Sequence, residues 1–353
     1  FLVPTTDCDI CFYLFMSQLR DKAKGCLFGL LIADALAMPT HWFYGGENQV
    51  RQTYGKIQGY VAPVSKLPGS IMSKSNTGGG GRGGFHGDII GNIIFHDKKQ
   101  FWKPGADYHY HQGMEAGDNT LEALLLRRVL VVSAQNDGKF VPSEILKDYI
   151  RFMATPGTHN DTYCGTCHRM FFAKYAGGFD PSECPDNDGH NVDTCDSIIT
   201  TIPIALLSSK SEDIAEMVSI TRNSPVSSKY AAVFTNALKG VLTGMSAKDA
   251  AEGMGKEIHF DVKRSVLVNS SDPVTACYLD QSFRAVAHMI FKYASNPQRN
   301  PTESFRQGVL ANANRGGENV ATGALIGAIL GAECGFTNLP TDLVSGLRAH
   351  QEV

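Results

Sequence analysis

Apolar positions along this chain recur at intervals of three and four far more often than they alternate, which predicts helices rather than strands. The clearest stretch is 315–335, RGGENVATGALIGAILGAECG. Gly323, Gly327, Gly331 and Gly335 fall every four residues, with Ala324, Ala328 and Ala332 beside them, so a helix here carries its small residues along one face. Each interior glycine costs a helix about 1 kcal/mol relative to alanine. Packing has to offset that cost, so the segment is expected to be central and buried, with another backbone very close. The segment 21–38 repeats the pattern with Gly25, Gly29, Ala33 and Ala37. These two small-faced helices are expected to pack on each other and to join the two ends of the chain in one core.

Helical spacing continues through 142–153, 162–175, 194–207 and 301–313. Ser224-Pro225 and Asp272-Pro273 each read as a cap followed by a first turn, opening two further helices. Asp118-Asn119-Thr120 is a helix-start signal in front of the apolar run LEALLLRRVLVVS. The segment 41–102 is loop-rich, and strand patterns are scarce. The expected fold class is all-α.

Composition narrows the picture. The 353 residues show no linker, charge block or shift in character, so one large domain over 16–353 is expected. Residues 1–15 lack Lys and Arg and do not make a signal peptide; Met16 reads as the natural start, with 1–15 a leader of separate status. A formal charge of −3 and a pI near 6.4 leave no footprint for nucleic acid or an anionic membrane surface. No apolar run is read as reaching the ~20 residues of a membrane span. Nine cysteines without regular spacing read as reduced thiols of a cytoplasmic protein, expected to be monomeric.

Several clusters could carry chemistry. Acidic residues stand at predicted helix starts: Asp118, Glu318, Asp161 and Asp193. Asp34 lies inside an apolar helix and reads equally as a paired structural carboxylate or a site residue. The run 73–91, SKSNTGGGGRGGFHGDIIG, could turn backbone N–H groups toward an anion, with Arg82 as its one cation, or could be a flexible surface loop. YHYHQG at 108–113 reads as packing rather than a metal pair. Cys164, Cys167 and His168 match the c-type haem attachment spacing, and Cys164, Cys167, Cys184, His190 and Cys195 have zinc-ligand types at irregular spacing.

Three segments together carry a resemblance: GCLFGLLIADALAMPTHW, AGDNTLEALLLRRVL and GGENVATGALIGAILGA, in that order. They resemble the ADP-ribosylglycohydrolase family from about Met16 onward. The central segments SIMSKSNTGGGGRGG and TPGTHNDTYCGTCHRMFF, with the RGGENV form, resemble the branch of selenoprotein J and the jellyfish lens J-crystallins. The resemblance implies an orthogonal helical bundle with a central cleft. It also implies two Mg²⁺ ions that serve hydrolysis of the bond between ADP-ribose and a side chain or small group. The family's Thr-Asp-Asp-Thr motif reads Gly117-Asp118-Asn119-Thr120 here, and its Gly-Gly-Asp-Thr-Asp-Thr reads Gly316-Gly317-Glu318-Asn319-Val320-Ala321. His41 stands where an acid usually follows the family's proline.

Carried over residue by residue, the resemblance places a depleted metal site on Asp118, Asn119, Thr120 and Glu318. Catalytic roles fall to Glu318, Asp118 and Asp34. An ADP-ribose-like ligand would meet Gly79, Gly80, Gly81, Arg82 and Gly83 at its diphosphate and His159, Asn160, Asp161 and His190 in the cleft. Val320 and Ala321 offer no side-chain oxygen, and a two-Mg²⁺ site needs several carboxylates. The expected function is therefore that of a crystallin-like structural protein of the lens with little or no hydrolase activity. The alternative is an active hydrolase holding a divalent ion weakly.

Overall fold

The two glycine-faced segments form helices Asp7–Ala37 and Val320–Cys334, and they cross with their backbones in direct contact. A methyl group placed on Gly29 would fall on the Gly327 carbonyl oxygen, and one on Gly327 would fall on the Gly29 carbonyl oxygen. Gly25 and Gly331 face each other in the same way, so the helices run antiparallel. Small residues are thus what permits the crossing. All of Val320–Cys334 except Glu333 is buried, and helices Pro301–Arg315, Leu279–Tyr293 and Pro225–Leu242 pack around it.

The structure is a computed structural model that describes residues 7–79, 85–208 and 210–348, with side chains from Met16 onward. Among the described residues there are fifteen α-helices and no strand, only isolated bridges. The all-α expectation holds. The first helix begins before the expected 21 and continues through 7–15, part of the segment read as a leader. By length and composition Met16–Thr40 is apolar enough to cross a bilayer, contrary to the sequence reading, yet 83% of its most apolar window lies inside the protein.

Several helix ends differ from their sequence signals. Thr166–Ala176 starts four residues late, because Asp161 accepts the amides of Thr162 and Tyr163 at 2.7 and 3.2 Å and holds them out of the helix. Asp272-Pro273 opens no helix; the next begins at Leu279. The Asp272 carboxylate instead takes Lys292 Nζ and Tyr293 Oη at 2.6 and 2.8 Å, and the Pro273 carbonyl accepts from Arg315. Ala276, Cys277 and Tyr278 at the end of this segment line the cleft described next.

Candidate functional site

The turn ahead of the central helix builds the site. Gly316 and Gly317 both have positive φ, 69° and 66°, which only glycine adopts without strain. They fold the chain against Trp42 and Phe43: Trp42 N–H donates to the Gly317 carbonyl at 2.8 Å and Gly317 N–H to the Phe43 carbonyl at 3.0 Å. Trp42 itself is held at φ 60°, an unusual value for a bulky residue, beside the cleft. Glu318 N–H donates to the Thr275 carbonyl at 2.8 Å, and its side chain points into a cleft of about 270 Å³. That is space for roughly nine waters, or a group the size of a ribose.

Glu318 is buried. Its Oε1 accepts Ala321 N–H at 3.2 Å, and its Oε2 accepts Trp42 Nε1–H at 2.6 Å and faces His41 Nε2 at 3.4 Å. His41 Nδ1 lies 2.7 Å from His111 Nε2, and His111 Nδ1 lies 2.7 Å from Asp161 Oδ1. All four groups are at most 5% exposed. They form one string, Glu318–His41–His111–Asp161, with three gaps. Two neutral imidazoles bring two protons. With two protons for three gaps, one gap is without a proton whichever tautomers the rings adopt. Asp161 is pushed up by burial, but the His111 charge and hydrogen bond and the Leu121 N–H outweigh it and hold Asp161 below the usual carboxylate range. The string links the cleft to the buried start of helix Leu121–Gln135 through consecutive polar contacts.

The cleft walls are aromatic, with Trp42, Tyr110 and Tyr163 meeting edge to face at centroid distances of 4.6 and 4.9 Å from Trp42. Glu122, Cys167 and Asp196 also line the cleft.

The structure sorts the residues singled out from sequence. Glu318, Thr120, Asp161 and His190 line the cleft, His190 through a 3.1 Å contact with the Tyr278 hydroxyl. Asp118 does not. Its carboxylate takes Arg348 Nε at 3.0 Å and Glu115 N–H at 2.8 Å, and so it faces the Arg348 side. Asp34 is buried beneath the cleft and accepts Asn119 Nδ2–H, Thr120 N–H and Thr120 Oγ1–H at 2.8, 2.9 and 2.6 Å. It braces the Asn119-Thr120 corner. Asn119 also donates to the Leu31 carbonyl.

His159 packs on Phe95 and Phe152, and Asn160 bonds Gly113 and Lys98, so neither lines the cleft. Gly79 is pressed against Ala173 and the Arg169 carbonyl. Gly80, Gly81, Arg82 and Gly83 lie outside the described residues. The haem spacing is not supported, since Cys164 and Cys167 are both buried. Sequence reasoning missed His41 and His111 as cleft groups; YHYHQG was the signal for His111, and it was read as packing.

A family model described as ADP-ribosylglycohydrolase matches residues 16–353. The chain belongs to the ADP-ribosylglycohydrolase family. Its fold is similar to that of a solved structure described as an ADP-ribosylglycohydrolase-related protein complex, at TM-score 0.60 and 15% identity over 95% of each chain. A search of curated protein sequences finds no match.

For an ADP-ribosylglycohydrolase, the ligand set expected from sequence is incomplete at the cleft. Of the four metal ligands expected from sequence, only Thr120 and Glu318 line the cleft; Asp118 is held by Arg348 and Asn119 is turned to Asp34 and Leu31. Val320 and Ala321 occupy the wall beside Glu318. Both Glu318 oxygens already accept hydrogen bonds. These residues do not fit a pair of Mg²⁺ ions, which need several free carboxylate oxygens.

Proposed function

We propose that this chain keeps the ADP-ribosylglycohydrolase fold and its cleft without the two-magnesium reaction, and serves as a structural protein of the crystallin type, as in the lens J-crystallin branch that its central segments resemble. The observation that carries this reading is the apolar wall of Val320 and Ala321 beside Glu318, with Asp118 drawn away to Arg348. Hydrolysis assays on ADP-ribosylated arginine and serine peptides, with and without Mg²⁺, are expected to show no release of ADP-ribose. Titration calorimetry is expected to show no Mg²⁺ heat, and Asp118→Ala to change neither result. Mg²⁺-dependent release that Glu318→Gln abolishes would overturn the proposal.

A second reading, an active hydrolase for ADP-ribose-like substrates with a weakly held divalent ion, is favoured by the Glu318–His41–His111–Asp161 string. A carboxylate wired to a proton store is suited to taking a proton from water as it attacks the ribose carbon and the bond to the leaving group breaks. In that reading Glu318→Gln removes turnover while ADP-ribose still binds, as measured by calorimetry.

A further inference from the structure

The cleft wall also carries a cluster that neither reading uses. The ligand atoms of Cys167, His168 and Asp196 lie within 4.8 Å of one another. Glu122 Oε1 is 2.8 Å from His168 Nε2. Helix Thr166–Ala176 supplies Cys167 and His168 from its first turn, Glu122 comes from the first turn of Leu121–Gln135, and Asp196 from the 3₁₀ turn Cys195–Thr201. Cys167, Asp196 and Glu122 line the cleft, whereas His168 sits just behind and is 1% exposed.

We propose that Cys167, His168 and Asp196, with Glu122 beside them, bind one divalent transition-metal ion of the zinc class in the cleft wall. The donor chemistry is one thiolate, one imidazole and carboxylate oxygens, which suits zinc and not magnesium. Tetrahedral bonds of about 2.0–2.3 Å place ligand atoms roughly 3.3–3.8 Å apart, so side-chain shifts of about 1 Å close the set. The supports behind the ligands are in place. Tyr149 Oη lies 2.7 Å from His168 Nδ1, where it accepts the Nδ1 proton and leaves Nε2 for the metal. Arg222 is buried and holds Asp196 through Nη2 at 2.8 Å, while its Nη1 donates to Thr194 Oγ1 and the Val192 carbonyl at 2.9 and 3.2 Å.

The charges also balance. Without metal, Glu122 and Asp196 are matched by Arg222 and a proton on His168, with Cys167 as a thiol. The geometry gives that proton a partner, since His168 Nε2 lies 2.8 Å from Glu122 Oε1. When the ion binds, the Cys167 S–H bond breaks, a metal–sulfur bond forms, and the His168 Nε2 proton leaves as a metal–nitrogen bond replaces it. Two protons go to solvent and two positive charges enter, so the net charge of the wall is unchanged.

The inference does not rest on the proposed function, because a structural protein and a hydrolase could both hold this ion, and its readouts do not involve Mg²⁺ or ADP-ribose. Full-length protein equilibrated with Zn²⁺ and gel-filtered is expected to retain close to one zinc per chain by elemental analysis. Calorimetry in buffers of different ionisation enthalpy is expected to report release of two protons. Co²⁺ in place of zinc is expected to show thiolate-to-cobalt charge transfer and the strong visible bands of a tetrahedral site. Cys167→Ser removes the charge-transfer band. Cys277→Ser, a thiol in the same cleft, leaves it intact. Tyr149→Phe weakens zinc binding by about 10–100-fold. Absence of stoichiometric zinc in the parent protein, or a charge-transfer band that survives Cys167→Ser, would overturn the proposal; if Cys167→Ser fails to fold, the parent's zinc content and cobalt spectrum decide it.

Discussion

At the scale of single residues, acidity was visible in the sequence and partnership was not. Asp34, Asp118, Asp161 and Glu318 all stood out as chemistry-bearing, but what each carboxylate does is set by groups from distant segments. Asp118 meets Arg348, Asp161 meets His111, and Asp34 meets Thr120. No local pattern encodes such pairings. Asp34 gives a test with a definite sign. Burial pushes its carboxyl up to about 6 despite the hydrogen bonds from Thr120 and Asn119. Between about pH 4 and 6 the folded protein therefore keeps a proton that the unfolded chain has released, and stability falls as pH rises. The loss is about 3 kcal/mol across that range. Urea unfolding of the parent and Asp34→Asn at several pH values should show the parent losing that much relative to the variant. A constant difference between the two would show that the hydrogen bonds, not burial, dominate.

At the scale of elements, the glycine spacing read true. Period-four glycines at 25–29 and 323–335 announced two small-faced helices, and these are the two that cross. Helix ends were less legible, because a cap can come from elsewhere: Leu121 N–H is capped by Asp161 at 2.8 Å, not by the Asp-Asn-Thr run in front of it. Two alanine substitutions separate propensity from packing. Gly327→Ala gains about 1 kcal/mol of helix propensity but drives a methyl onto the Gly29 carbonyl and to 2.6 Å from Ala33 Cβ. Overpacking of this kind costs about 3 kcal/mol or more, so the variant is destabilised on balance. Gly253, in helix Ala247–Glu257, has nothing within 4 Å of an added methyl, so Gly253→Ala stabilises by up to about 1 kcal/mol. Chemical denaturation of both variants checks the pair, and equal effects would show that the helix crossing is not tightly packed.

At the scale of the whole molecule, the cleft is a meeting of segments from across the chain, and sequence supplied its members without its shape. Glu318 was expected to share a hollow with Asp118, and Asp118 is held by Arg348 outside it, although Thr120 beside it does line the cleft; His41 and Trp42 come to it only because the Gly316-Gly317 turn folds against them. That turn and the helix after it also complete the core. A chain cut after residue 315 leaves helix Asp7–Ala37 without the surface it crosses. Such a chain is expected to show no cooperative thermal transition by circular dichroism, and a parent-like transition would refute the assigned role of Val320–Cys334.

The crossing of first and last long helices also bears on biosynthesis. A ribosome delivers the Gly25–Gly29 face roughly 300 residues before its counterpart, which at about 5–20 residues per second is a delay of about 15–60 s. Throughout that interval the Gly25–Gly29 face lacks the backbone it packs on in the folded chain. Completion of the core therefore waits until the Gly323–Gly331 face has left the ribosome.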